Sequence, residues 1–141
     1  MPHHKPDISL ILKDNEIAAA QMLDKGNYVS AYLLIHALVE SLLRLLLREY
    51  ASKKNFTHLI DLYKLYLKKE NYSRPTFVKE LVEFHKRRNR IVHELWQKGF
   101  SLTNKQAETA ARGAFIMFGL FIEWLETFEP EITTIGFRYE G

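Results

Sequence analysis

The chain has no cysteine, which excludes disulfides, thiolate metal sites and a thiol nucleophile. No segment keeps up strand-like alternation, and neither repeats nor low-complexity tracts occur. The first fourteen residues lack the apolar core and small-residue cleavage site of a secretory signal. The most apolar run, Ala31 to Leu47, is interrupted by His36, Glu40, Ser41 and Arg44, and "AFIMFGLFIEWL" (Ala114 to Leu125) is too short to cross a bilayer. No membrane segment is expected, and a cytoplasmic protein is.

Against these absences, 47% of the residues are hydrophobic and 26% charged, the balance of a soluble globular chain. A length of 141 residues fits one domain with a substantial core. The net charge of +3 is compatible with a polyanionic partner without requiring one. Its distribution says more, because Lys86, Arg87, Arg88 and Arg90 fall within five positions.

Helical periodicity runs through almost the whole chain. A first helix is expected from Asp7 to Lys25, stopped by Gly26. A second covers Tyr28 to Ser52 and is apolar nearly all round, which places it centrally or at a subunit interface. "THLIDLYKLYLKKE" forms a third helix with Thr57 as a cap, and "NYSRP" breaks the chain after it. A fourth spans Pro75 to Lys98, with Gly99 beyond its end. Thr103 and Gln106 have capping-box spacing and open a last helix that stops near Phe128. The tail "EITTIGFRYEG" is β-branched and aromatic and has no assigned place. Short turns between helices imply an all-α, antiparallel bundle of four to five helices.

The fourth helix carries the anomaly, in "KRRNRIVHELW" (Lys86 to Trp96). At about 100° per residue, Phe77, Val78, Leu81, Val82, Phe84, Ile91, Val92, Leu95 and Trp96 share one arc. Arg88 falls inside that arc beside His85, Asn89 lies further round, and His93 is at its edge. A guanidinium buried without a partner costs several kcal/mol even after relaxation, of order 3–5. It can be neutralised by an internal carboxylate, line a wet cleft, or await an anionic ligand. Glu40 is the candidate carboxylate, although Arg44 one turn on can satisfy it instead.

Arg88-Asn89-Arg90-Ile91-Val92-His93 resembles the signature of HEPN domains, an arginine, a polar residue, and a histidine four to six residues after the arginine. "LVESLLRLLL" (Leu38 to Leu47) and "HLIDLYKLY" (His58 to Tyr66) are similar to that family's second- and third-helix patterns. The resemblance covers residues 7–128 of a single domain, 1–141, and leaves 129–141 as a tail. It implies a homodimeric helical bundle whose Arg/His motifs face one cleft. It also implies one of two functions. The first is a metal-independent endoribonuclease, such as the toxin of a toxin–antitoxin pair with a nucleotidyltransferase antitoxin. The second is a non-catalytic module that binds a nucleotide or a nucleotidyltransferase subunit. Where such toxins carry His-x-Tyr with a modified tyrosine, this chain has His93-Glu94-Leu95, so that modification has no acceptor here.

RNA supplies its own nucleophile, the 2′-hydroxyl, so the chain needs only a proton carrier and a counter-charge for the phosphorane. Histidine exchanges protons near neutral pH, with a reference pKa of about 6.5, which suits His93. Arg88 offers two parallel donors to phosphate oxygens, and Asn89 can orient His93 or a phosphate. Lys86, Arg87 and Arg90 point outward, either as a backbone-holding surface for RNA or as an ordinary solvated face. His85 is either a further RNA contact or a packed histidine bonded to a neighbouring helix. His85, Asn89 and His93 make a poor metal site, since no carboxylate shares their face, and neither metal nor cofactor is expected. Phe115, Phe118, Phe121 and Trp124 read as core, and Gly113 and Gly119 as points of close helix contact.

Overall fold

The computed structural model describes residues 8–48 and 53–130. Within them the chain forms six helices and no strand: α1 (Ile8–Asp24), α2 (Tyr28–Leu46), α3 (Phe56–Lys69), α4 (Val78–Lys98), α5 (Phe100–Gln106) and α6 (Glu108–Phe128). The all-helical expectation is met, with one helix more than foreseen. The tail 131–141 lies outside the described residues.

The ends of the first three helices each have an identifiable chemical cause. After α1, Gly26 takes a φ of 75°, and the N–H groups of Gly26 and Asn27 return to the carbonyls of Leu23 and Met22. This is the paired closure that a left-handed residue permits, and glycine adopts it without a Cβ penalty. Asn71 plays the same part after α3 at φ 60°, closing Tyr72 N–H onto Leu67 O. α2 ends at Leu46, short of the expected Ser52, because Arg48 turns left-handed at φ 57°.

Three helix starts differ from expectation. The cap of α3 is Asn55, whose side-chain oxygen accepts from His58 N–H at 2.9 Å, and Thr57 lies inside the helix. Pro75 sits in the preceding turn, since α4 begins at Val78 after a left-handed Phe77. Thr103 and Gln106 form no capping box. The Thr103 hydroxyl donates back to Gly99 O at 2.7 Å, and Gln106 Oε1 accepts from Lys98 Nζ at 2.9 Å. Both residues therefore belong to the short α5, and α6 opens after Ala107.

α2 is the hub. It packs against α1, α3, α4, α5 and α6 and buries Ala31, Tyr32, Ile35, Val39, Leu42 and Leu43. By length and composition α2 could cross a membrane, and half of that stretch is buried inside the bundle. The Tyr32 hydroxyl donates to Phe84 O at 2.7 Å and fixes α2 against α4. At the far end, Tyr63, Phe77, Phe121 and Trp124 interlock edge-to-face, and Tyr66 and Tyr72 both donate to Glu129. Phe118 and Phe121 are fully buried and Phe115 and Trp124 partly, as a core role requires. Gly113 and Gly119 do not serve close helix contact, because a Cβ added at either would meet open space.

One polar residue joins three elements. The Asn104 amide oxygen on α5 accepts from Val29 N–H at 3.0 Å, and its nitrogen donates to Gly26 O at 2.8 Å. It thereby caps α2 from a distance, while Asn27, the residue at the cap position, makes no side-chain cap bond. Asn104→Ala should cost about 1–3 kcal/mol in urea unfolding, a cap plus a second hydrogen bond. Asn27→Ala should cost no more than about 0.5 kcal/mol, the scale of ordinary surface substitutions.

Candidate functional site

The site lies on the interrupted face of α4. Leu81, Phe84 and Ile91 are buried there, and Val82, Val92 and Leu95 are half-buried. Arg88 is half-buried among them. Among the described residues it has no carboxylate partner. Glu40 is engaged by Arg44 at 3.3 Å, and Arg44 also donates to Lys54 O at 2.6 Å. The internal acid that could have cancelled Arg88 is therefore committed elsewhere.

A chain of neutral groups meets the guanidinium instead. Arg88 Nη1 donates to Asn89 Oδ1 at 2.9 Å. Asn89 Nδ2 lies 3.4 Å from His85 Nε2, and His85 Nδ1 lies 3.0 Å from His36 Nε2. His36 comes from α2 and is 4% exposed. Its ring stacks near Phe84 and tilts against Phe56, while His85 lies flat on Phe56 at 4.6 Å. Of the two sequence alternatives for His85, the bond to a neighbouring helix is present.

This setting disfavours protonation of both imidazoles. Burial first, then the Arg88 charge and His85, pulls His36 down to about 3. Burial and Arg88 lower His85 as well, against an opposing pull from Glu40. A proton on either ring would place a second cation beside a guanidinium in a poorly hydrated seam.

The remaining site residues divide between two flanks of α4. His93 is exposed, its Nε2 3.1 Å from the Gln97 amide nitrogen one turn on, and it is not joined to the His36–Arg88 chain. Asn89 is exposed beside it, and Trp96, expected on the apolar arc, is 91% exposed on the same side. Lys86 is exposed and pairs with Glu83 at 3.9 Å. Arg87 and Arg90 lie on the opposite flank. They line a 140 Å³ hollow toward α5 with Thr103 and Gln106, and Arg87 also borders a groove of 320 Å³ against α6. The basic cluster, contiguous in sequence, is thus split in space. Among the described residues no group of three or more histidines and carboxylates is placed to hold a metal ion.

His36 is the residue that sequence patterning did not single out. Its position within an apolar helix marks it as inward-facing, but its partner is 49 residues away.

The depressed histidines predict a pH dependence of stability. Unfolded histidine titrates near 6.5, so below that pH the unfolded chain binds protons that the folded chain refuses. The stabilisation is complete above about pH 6.5 and is lost as pH falls toward the folded value, about 3 for His36. Melting temperature should therefore fall between pH 7 and pH 5, and His36→Phe should flatten that dependence. A His36→Phe protein with the same slope would contradict it.

No family model, curated protein or solved structure matches this chain.

Proposed function

We propose that the chain is a HEPN-type domain that pairs with a second copy of itself and cleaves RNA without a metal ion. The observation that carries this reading is Arg88, a half-buried guanidinium on an apolar helix face with no carboxylate partner among the described residues. A cation left uncancelled there is suited to a phosphate. In this mechanism the RNA 2′-oxygen attacks the adjacent phosphorus, and the bond from phosphorus to the 5′-oxygen breaks. His93, exposed to solvent, carries the proton, and Arg88 holds the charge that builds on the phosphoryl oxygens. The products are a 2′,3′-cyclic phosphate and a free 5′-hydroxyl. Asn89 bonds to Arg88, and Lys86 lies two turns from His93 on its flank, placed for the RNA backbone. Arg87 and Arg90 hold a strand that passes over the other flank.

The dimer reading is supported by Trp96 near the end of α4 and Phe100 at the start of α5, which are 91% and 54% exposed. An apolar surface next to a polar site is typical of an interface rim and its anchors. The binding-module reading, with a nucleotide or a nucleotidyltransferase as partner, is favoured by Leu95, half-buried where the family's modified tyrosine would stand.

Purified protein in excess chelator should cut single-stranded RNA and leave cyclic phosphate ends. Arg88→Ala and His93→Ala should each lower the rate by about 10²–10⁴-fold without loss of helicity. Cleavage that survives both substitutions would refute the nuclease; stable co-purification with a nucleotidyltransferase and no cleavage would favour the module.

Trp96→Glu tests the dimer. Light scattering should shift from the mass of two chains to that of one, with cleavage lost. A wild-type protein that is monomeric at tens of micromolar would remove the two-chain cleft.

A further inference from the structure

Arg88 can only donate hydrogen bonds, and that fact propagates through the polar chain. Because Arg88 Nη1 donates, the Asn89 atom facing it must be the carbonyl oxygen, 2.9 Å away. Asn89 then turns its amide nitrogen, a pure donor, toward His85 Nε2 at 3.4 Å. His85 Nε2 must accept, so its proton sits on Nδ1 and is donated to His36 Nε2 at 3.0 Å. His36 in turn must carry its proton on Nδ1. No step allows a second choice while both rings are neutral.

The geometry points to His36 as a positioning residue: it anchors a one-directional relay, His36–His85–Asn89–Arg88, that holds each imidazole in a single tautomer and the guanidinium in one orientation. This deepens the reading of Arg88 as the phosphate-binding group and rests on it for its role in cleavage. Several features single out His36 as the fixed end. It is 4% exposed, it packs against Phe56 and Phe84, and it stands on the central helix, whereas His85 and Arg88 are half-buried and Asn89 is exposed. The charged groups that face His85 are Arg88 on its own helix and Glu40 on α2, and Glu40 is shared with Arg44. The relay also removes His85 from proton transfer, since both its nitrogens are occupied, and leaves that task to His93.

Long-range proton–nitrogen spectra of the full chain at pH 7 read the tautomers directly. The expected spectrum shows protonated Nδ1 and bare Nε2 on both His36 and His85. Asn89→Asp, at an exposed position, replaces the amide donor by a carboxylate that can only accept. The bare Nε2 of His85 must then become protonated. Signals averaged between tautomers, or a His85 unaffected by Asn89→Asp, would overturn the relay. In RNA cleavage, His36→Phe should lower kcat by about ten- to hundredfold with little change in KM, the cost of a misplaced group. His36→Gln, whose amide oxygen can accept from His85 Nδ1–H, should recover part of it. His36→Phe with unchanged kcat would also refute the positioning role. If the wild-type protein cuts no RNA, the nuclease reading fails by itself, and the spectra still decide the relay.

Discussion

The organisation of the polar seam depends on how one cation is satisfied inside an apolar surface. A carboxylate would satisfy Arg88 and cancel it. Asn89 accepts a hydrogen bond from it and leaves the charge in place. The difference matters because field strength falls with local hydration, and a half-buried site is screened less than an open one. Burial first, and this charge second, set the state of its neighbours. His85 and His36 stay neutral because a protonated ring would be desolvated and repelled together. One guanidinium thus sets the direction of every hydrogen bond behind it, as far as the central helix.

The bundle supports this arrangement by separating two kinds of packing along its length. At one end, Tyr63, Tyr66, Tyr72, Phe121 and Trp124 form an aromatic cluster whose hydroxyls close on Glu129 and on the Thr76 carbonyl. At the polar seam, the rings of Phe56 and Phe84 supply flat apolar walls and no competing acceptor side chain. Histidine stacked on phenylalanine has only its in-plane nitrogens left for hydrogen bonding, which confines the relay to one path. Tyr32, bonded to Phe84 O, fixes the spacing of α2 and α4 and so the distance across which His36 and His85 meet.

Local rules made much of this legible before any coordinates. Gly26 and Gly99 marked helix ends because a left-handed turn there suits glycine, and both have positive φ. The α4 stripe located the anomaly, since three-dimensional burial of Leu81, Phe84 and Ile91 follows from their spacing. Other features depended on partners far along the chain. Thr57 and Asn55 are both competent caps two residues apart, and only the bond to His58 N–H distinguishes them. Thr103 looks like a forward cap but bonds backward, which lets α5 form. Asn104 reaches Gly26 across 78 residues, and His36 reaches His85 across 49, distances at which periodicity is silent. Trp96 shares the apolar arc by spacing, yet it is 91% exposed while Leu95 beside it packs against the core, because it sits at the solvent edge of the arc.

The separation of Arg88 from His93 bears most directly on the proposed chemistry. Five residues of helix place them about 140° apart around the axis and about 7.5 Å along it. On a single chain, one phosphate cannot sit squarely against both groups. A second copy changes the geometry. With a two-fold axis crossing α4 between positions 90 and 91, the helices run antiparallel, and Arg88 of one copy comes level with His93 of the other. Trp96 and Asn89, on the intervening face, would then lie inside the contact. The five-residue offset, awkward for a monomer, would be accommodated by such a symmetric pair. Each of its two equivalent sites would draw its cation and its imidazole from different chains, and dissociation would separate the charge from the proton carrier.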